Sequence, residues 1–369
     1  ALGSKFDREA LALVADALKS VDEALLAPWL GELAGTICGA WLRARLAGGA
    51  AERADAWARY FSIEARRDPA DLLECAQALH EAGRSEEAAQ WLRMALTQTV
   101  PYSFFARSAR LVRELAGAAR SNLRQCRIAV LGTSTTAMLV QVIRALCLRD
   151  RIGAEFYEGA YDSIDQEVLD PASGLVRFHP SVVLLVMNWR DLGLEAVTGD
   201  ESQWIEAYVA RRKALWMEIA GRFGCHVVQP AFDYPAEDPY GHLSGVLLGG
   251  RGRVIESLNR RLREAAEGGV SILDVPAAQR ETGSRVWETS RRGSATGSTP
   301  RWRRCRSWPR VTWLTCARCS AWRARYSSPT SITRCGEASS AKTAWMESPS
   351  GPAAPRVKRI CDCRGICWT

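Results

Sequence analysis

Apolar residues recur every three or four positions along the first third of the chain, which is the spacing of one face of an α-helix. The pattern restarts at Asp68-Pro69, where Asp68 is suited to cap a helix and Pro69 to occupy its first turn. Residues 1–121 are therefore predicted to be entirely helical. The apolar positions that carry this pattern are Leu11, Val14, Leu18, Leu26, Leu30, Leu33, Ile37, Trp57, Tyr60 and Ile63.

The segment from Leu72 to Leu92 has small residues where two helices would cross, and Gly83 stands at the turn between them. This pattern resembles a tetratricopeptide (TPR) unit. A single unit cannot bury both of its faces, so it has to pack on neighbouring helices or on a partner. Two interpretations stay open: a helical bundle packed against the next domain, or a surface that recruits another protein.

From residue 122 onward, apolar strands alternate with amphipathic helices. The third strand is apolar along nearly its whole length, which is typical of a strand that is buried on both faces. Such alternation predicts a parallel sheet with helices on both sides, so residues 122–285 are predicted to form an α/β domain. The predicted strands are Arg127–Leu131, Gly153–Tyr157, Ser181–Met187, Cys225–Val228 and Val270–Asp274, and helices follow through Met138–Leu146, Glu201–Phe223 and Gly252–Ala266.

The regular recurrence of apolar residues at helix or strand spacing stops at about Ser290. Six of the 14 Trp and seven of the 12 Cys lie after that residue, together with 16 Lys and Arg against three acidic residues. Native cores do not have this composition, and residues 290–369 read like a gene translated in the wrong reading frame. The tail also supplies the positive charge, because the whole chain carries +8 whereas residues 1–290 carry −5. We therefore expect no nucleic-acid partner.

The lost frame can be partly reconstructed by joining the third base of each codon to the first two bases of the next. From Arg325 onward the junctions permit Val-Leu-Val-Thr-Asp-Leu-Asp-Asn-Thr-Leu-Trp-Gly-Gly, and a further glycine- and aspartate-rich run extends to Ser348. Within that run, the genetic code forces Asp at Trp345-Met346 and Gly at Met346-Glu347. A long unbroken series of acceptable residues is hard to obtain by accident.

The recovered string resembles motif one of the haloacid dehalogenase (HAD) phosphotransferases, in the version carried by FkbH-like proteins of polyketide pathways. In that motif two aspartates face the same side of a strand. One attacks phosphorus, the other handles the leaving-group proton, and Mg²⁺ neutralises the phosphate charge. Pro329 to Ile332 occupy those places here and include neither acid. We therefore expect this chain to lack the phosphatase active site and to hold no cofactor or metal.

Taken literally, the cysteines of the tail would suggest a zinc site. Cys316 and Cys319 have a usual spacing, but Cys361-Asp-Cys363 does not, and no pair of histidines follows. Translation out of frame accounts for them better. The cysteines before Ser290 are scattered and odd in number, and neither a leader nor a long apolar run occurs, so a reduced cytoplasmic protein is expected. These cysteines are Cys38, Cys75, Cys126, Cys147 and Cys225.

The α/β part resembles the domain that precedes the HAD domain in FkbH-like proteins. That domain is similar to SGNH hydrolases, which implies an SGNH- or flavodoxin-like parallel sheet with a nucleophilic serine in a Gly-Asp-Ser turn after the first strand. The resemblance covers about Arg127 to Asp274. It is carried by Ile128–Thr136, Phe156–Tyr161, Ile164–Pro171, Pro180–Leu185, Gln229–Asp233, Tyr240–His242 and Leu258–Leu262.

Ser134 falls at the nucleophile position of that turn, and Thr133 stands where the aspartate would be. The distal Asp-x-x-His block of the hydrolases is missing, because Asp274 is followed three residues later by Ala277. Ser134 is therefore a candidate nucleophile without a base, and helix capping or an oxyanion or phosphate contact is the preferred interpretation. None of the four histidines has the expected place: His80, His179, His226 and His242.

Four polar or aromatic residues, Asn188 to Asp191, follow the third strand at its carboxyl end, where parallel sheets bind ligands. Asn188 and Arg190 are candidate contacts for an anionic substrate, and ordinary surface residues are an equally good reading. The complete predicted substrate site is Gly132, Thr133, Ser134, Thr135, Asn188 and Arg190.

The FkbH-like resemblance implies a glyceryl transferase and phosphatase. Such proteins take a phosphoglyceryl group from an activated three-carbon acyl phosphate, remove its phosphate in the HAD domain with magnesium, and deliver glyceryl to an acyl carrier protein for polyketide synthesis. The resemblance implies two partners, a carrier protein and a phosphoglyceryl substrate. It implies no association with a membrane. Two alternatives remain: an SGNH-type esterase or acyltransferase that uses Ser134, and a noncatalytic module that binds a carrier protein through the helices of residues 1–121.

Overall fold

The computed structural model describes residues 8–21, 23–33, 35–118, 123–194, 200–283 and 287. The first of the two predicted regions is helical, as expected from its pattern. Its described helices are α1 (Arg8–Leu18), α2 (Glu23–Glu32), α3 (Ile37–Leu46), α4 (Ala50–Ile63), α5 (Pro69–Glu81), α6 (Ser85–Thr97) and α7 (Tyr102–Ala118).

The predicted start of α5 and the turn after it are confirmed. Asp68 Oδ1 accepts a hydrogen bond from Ala70 N at 3.0 Å, and Pro69 opens the helix. Gly83 has a φ of +80°, a left-handed conformation that glycine adopts without strain, and it allows the chain to turn into α6. The resemblance to a tetratricopeptide unit stays a prediction, because ordinary bundles contain similar helix pairs.

The helices bury an aromatic core that encloses one carboxylate. Trp57 and Tyr60 pack edge to face with 5.5 Å between ring centroids. Asp71 is only 3% exposed, and its carboxylate accepts hydrogen bonds from Trp41 Nε1 at 2.9 Å and from Tyr60 OH at 3.1 Å. Hydrogen bonds from two aromatic side chains therefore compensate part of the cost of burying this acid.

The second region is a parallel sheet, as predicted. Its strands are β1 (Arg124–Gly132), β2 (Ile152–Glu158), β3 (Val182–Val186), β4 (His226–Pro230) and β5 (Val270–Leu273), in the spatial order β2-β1-β3-β4-β5. The helices around it are α8 (Ala137–Arg149), α9 (Ile164–Leu169), α10 (Gly174–Phe178), α11 (Glu201–Phe223), α12 (Arg251–Ala265) and α13 (Val275–Thr282).

Alternation along β1 sends its side chains into two separate cores. Ile128 and Val130 pack with α8 and α13 on one face of the sheet. Ala129 and Leu131 pack with α9, α11 and α12 on the other face. β3 alternates in the same way, which explains why its sequence is apolar at successive positions.

Helix α8 joins the helical region to the sheet. Ala145 and Leu148 belong to the core formed by the N-terminal helices, whereas Val142 and Ile143 face the sheet. This shared packing favours the first interpretation of the helical region, a bundle that packs against the next domain.

The reading-frame change near residue 290, the reconstructed motif at Pro329 to Ile332 and the cysteine spacing of the tail all fall outside the described residues, and they stay predictions. Within the ranges that the structure describes, no helix is both long enough and apolar enough to cross a membrane.

Candidate functional site

The carboxyl ends of β1 and β3 define a crevice. β1 continues into α8 on one face of the sheet, whereas the chain after β3 continues into α11 on the other. Loops that leave neighbouring parallel strands in opposite directions leave a gap between them, and ligands of doubly wound sheets bind there. All six predicted substrate contacts lie at this gap: Gly132 is the last residue of β1, and the others lie in the two loops, residues 133–136 and 188–192. Their roles in binding stay predictions.

Gly132 keeps the first loop close to β3. A Cβ atom at this position would lie 2.9 Å from the Val186 carbonyl oxygen, too close for another residue without a backbone shift. Thr133 N donates a hydrogen bond to the same oxygen at 3.1 Å. The chain then turns outward, and Ser134 and Thr135 are exposed.

The second loop is a short 3₁₀ helix, Trp189–Leu192, closed by a reciprocal capping box. Asn188 Oδ1 accepts a hydrogen bond from Arg190 N at 3.0 Å. Asp191 Oδ2 accepts from Asn188 N at 2.7 Å and from Asn188 Nδ2 at 3.0 Å. Asn188 is therefore held by its backbone and its side chain at once.

One hydrogen bond ties the two loops together across the crevice. Thr133 Oγ1 donates to Asp191 Oδ2 at 2.6 Å, so this oxygen accepts three hydrogen bonds. Hydrogen bonds to an ionised acceptor are shorter and stronger than neutral ones. Asp191, to which the sequence prediction gives no role, thus joins the two loops through its carboxylate.

A buried carboxylate fixes the neighbouring residue Trp189. Asp233 lies just beyond the end of β4 and is 2% exposed. Its Oδ1 accepts a hydrogen bond from Trp189 N at 3.2 Å, and its Oδ2 accepts from Trp287 Nε1 at 2.9 Å. Asp233 therefore connects the loop after β3 to the chain beyond α13.

Two side-chain amides hold the segment that carries Asp233. Asn259 of α12 accepts from Phe232 N at 2.7 Å and donates to Phe232 O at 2.8 Å. Gln279 of α13 brackets Tyr234 in the same way, at 2.8 and 2.6 Å. Each amide satisfies both polar groups of one residue, as a neighbouring strand would, so the backbone on either side of Asp233 is fixed.

Two guanidinium groups contact the Trp189 ring. The Cζ atoms of Arg190 and of Arg251, the first residue of α12, lie 4.6 and 5.5 Å from the ring centroid. Cation–π contacts hold both groups against the indole, and both arginines have further interactions in the chain. Arginine presents a planar fork of donors that matches carboxylate and phosphate. The arrangement makes this end of the crevice suitable for an anion.

Tyr208 lies near Asp191 and is 6% exposed. Burial raises the pKa of Tyr208; the nearby Arg212 opposes this shift, and the Asp191 carboxylate adds to it. The phenol therefore stays protonated at neutral pH and offers a hydrogen-bonding group rather than a base. Arg212 Nε donates to its oxygen at 3.2 Å.

Ser134 lies exposed near the carboxyl end of β1. The predicted helix-capping role of this serine is wrong, because α8 begins at Ala137 and Thr136 occupies the N-cap. Asp274, the only acid of the incomplete hydrolase block, caps α13 by accepting from Ala277 N at 3.1 Å. Among the described residues, no hydrogen bond reaches the Ser134 side chain.

The histidines give Ser134 no base either. His179 follows α10 and His226 opens β4, so both lie at the amino ends of strands. His226 Nε2 is 2.9 Å from Ser271 Oγ. His242 is exposed in the 3₁₀ helix Gly241–Gly245 after β4, and His80 lies in α5.

The residues present do not fit the magnesium site that the family resemblance implies for a HAD domain. Across the described ranges, no three His, Cys, Asp or Glu side chains are grouped so that they could hold a metal ion. In the sequence, Pro329 to Ile332 contain no carboxylate.

The fold is a doubly wound α/β domain whose topological switch point lies between β1 and β3. Residues 127–289 match the family model of the FkbH N-terminal domain. The match confirms the FkbH-like resemblance that the sequence predicts for about Arg127 to Asp274. No curated protein sequence matches the chain.

The chain is also similar to a solved structure, the crystal structure of the N-terminal part of the protein BF1531 from Bacteroides fragilis, which contains a phosphatase domain complexed with Mg. The identity is 15% and the TM-score is 0.41, and the alignment covers 47% of this chain and 47% of that one. The chain thus spans about half the length of that structure. The predicted SGNH relationship stays a prediction.

Proposed function

We propose that the α/β domain holds an anionic three-carbon acyl substrate of the phosphoglyceryl class for transfer to an acyl carrier protein, in the synthesis of a polyketide extender unit. The match of residues 127–289 to the FkbH N-terminal domain supports the pathway class. The phosphate is removed in the parent family by a HAD domain with Mg²⁺. This chain binds and positions the substrate without that step, because Pro329 to Ile332 lack the acids.

The contact of both Arg190 and Arg251 with the Trp189 ring is the observation that carries the binding proposal. A phosphoglyceryl group carries phosphate oxygens, which pair with arginine by short charge-assisted hydrogen bonds. The second arginine comes from a different element, α12, so the anion would connect α12 to the loop after β3. Asn188 and Thr133 would contact the glyceryl hydroxyls at the other end of the crevice.

Titration calorimetry with 3-phosphoglycerate tests this proposal. We expect saturable binding, and we expect Arg190→Ala and Arg251→Ala each to weaken it by about tenfold or more, which corresponds to ~1.4 kcal/mol per lost charge-assisted contact. Glycerate, which lacks the phosphate, should bind more weakly than 3-phosphoglycerate. Arg263→Ala, at the exposed far end of α12, is the matched control and should leave the affinity unchanged. Equal affinity in all three variants would disprove the proposed anion site.

The esterase alternative rests on the exposure of Ser134 at the carboxyl end of β1. A serine hydroxyl needs a base to attack an ester, and neither a histidine nor the capping Asp274 supplies one. We therefore expect Ser134→Ala to leave the hydrolysis of p-nitrophenyl acetate at the level of the unchanged chain, measured by release of nitrophenolate. Turnover by the unchanged chain that is lost in Ser134→Ala would instead establish Ser134 as the nucleophile.

A further inference from the structure

The loop between β4 and α12 exposes a run of large apolar side chains. Leu248 is 78% exposed, Val246 70% and Tyr240 54%, and Leu243 and Leu247 are also exposed. Single exposed apolar residues are ordinary, but five within nine consecutive residues form a patch, and such patches mark interaction sites. We call residues 240–248 the apolar loop.

Hydrogen bonds keep the apolar loop in shape without burying these side chains. Leu247 N donates to Leu243 O at 3.0 Å, inside the loop. Arg253 donates from one terminal nitrogen to Val246 O at 3.1 Å. Glu201 accepts from Gly249 N at 3.1 Å and from Arg253 Nε at 3.2 Å. A surface ordered in advance loses less conformational entropy when a partner binds.

The apolar loop is continuous with the candidate site. Gly250 follows it at the tight entry to α12, where a Cβ atom would lie 2.2 Å from Ser244 O. The next residue is Arg251, whose guanidinium group contacts the Trp189 ring, as that of Arg190 does. A partner that covers the loop therefore meets two arginines at its border.

We infer that the apolar loop and its arginine border are the docking surface for the carrier protein that exchanges the acyl group at the crevice. This inference rests on the proposed function, and it places the partner on the sheet domain rather than on the N-terminal helices. The chemistry that fits is an apolar contact face with acidic residues around it, because Arg190 and Arg251 complement negative charge. Docking here brings the tethered end of the carrier to the carboxyl ends of β1 and β3.

The experiment titrates the full chain with the holo-acyl carrier protein encoded nearest to its gene, and follows complex formation by calorimetry. We expect the double variant Val246→Glu/Leu248→Glu to weaken carrier binding by about tenfold or more, as loss of central contacts does at protein interfaces. Two control variants place the same charge on equally exposed side chains, Leu25→Glu on α2 and Met217→Glu on α11. They should bind as the unchanged chain does.

The outcomes separate this inference from the proposed function. Binding of 3-phosphoglycerate to the double variant should stay unchanged, because neither residue belongs to the crevice. Carrier binding that is insensitive to the double variant, or that is lost in Leu25→Glu instead, overturns the docking surface and leaves the substrate site standing. Failure of the unchanged chain to bind the carrier also overturns it. Loss of self-association in the double variant without loss of carrier binding would show a second copy as the occupant and overturn the inference as well.

Discussion

Replacement of Asp191 by alanine is expected to lower the free energy of unfolding by about 2–4 kcal/mol, because buried or half-buried donors that lose their acceptor cost about 1–3 kcal/mol each. One oxygen of this carboxylate accepts from Thr133 Oγ1, Asn188 N and Asn188 Nδ2 at 2.6, 2.7 and 3.0 Å. Water can reach part of the site, so the sum of three full penalties is an upper bound. Urea unfolding followed by tryptophan fluorescence measures the loss.

Two further variants test whether Asp191 acts by joining the loops. Thr133→Val removes one of the three donors, and the double variant with Asp191→Ala should cost less than the two single changes together by about 1–2 kcal/mol, since the residues are in contact. Glu218→Ala on the exposed face of α11 is the control and should change little. Strictly additive effects of Thr133→Val and Asp191→Ala would show that the short hydrogen bond across the crevice contributes nothing.

The fold was predictable from the sequence because the spacing of apolar residues clearly distinguishes the helical region from the strands of the sheet. The N-terminal region repeats apolar residues at helical spacing, and the structure shows helices there. Val182–Val186 is apolar at each position, and it lies between β1 and β4 with both faces buried. Strand ends differ from the prediction by up to three residues, as at Arg124, because backbone pairing with Ile152 extends β1 beyond its apolar part.

The candidate site was predictable only where it follows strand ends. Asn188 and Arg190 were predicted because they follow the carboxyl end of an apolar strand, and Thr133 because it lies in the turn that resembles the hydrolase motif; their roles in binding stay predictions. Asp233 and Arg251 gave no such signal. Asp233 reaches the crevice because β4 lies beside β3 in the sheet. Arg251 reaches it because α12 begins next to Trp189. Contacts between residues more than forty positions apart, such as Trp189 with Asp233, depend on tertiary packing that local patterns do not encode.

The error at Ser134 has a similar physical origin. The run from Thr133 to Thr136 contains four residues that favour helix N-caps, so propensity alone does not choose among them. The N-cap position is set by Thr133. Its amide donates a hydrogen bond to Val186 O, so the backbone of β1 continues for one more residue before it turns. The turn then uses Ser134 and Thr135, and Thr136 becomes the N-cap. Its hydroxyl contacts Glu158 at 3.4 Å and makes no capping bond.

The second large effect is expected in the helical core, at Asp71. Asp71→Ala removes the acceptor of Trp41 Nε1 and Tyr60 OH, both of which belong to nearly fully buried side chains. The loss of this acceptor for two buried donors, together with the space left by the carboxylate, should cost about 3–5 kcal/mol. Asp71→Asn keeps one oxygen acceptor and should cost less. Far-UV circular dichroism during urea unfolding measures both variants.

The matched control for Asp71 is Asp55→Ala. The Asp55 side chain is 63% exposed and pairs with Arg84 at 3.2 Å, and exposed ion pairs contribute little to stability. If Asp71→Ala unfolds at the same urea concentration as Asp55→Ala, the buried carboxylate does not organise the core. The N-terminal helices share Ala145 and Leu148 of α8 with the sheet domain. Because of this shared core, we expect near-ultraviolet signals from both regions to be lost together in Asp71→Ala, whereas separate transitions would show that the helices fold independently of the sheet domain.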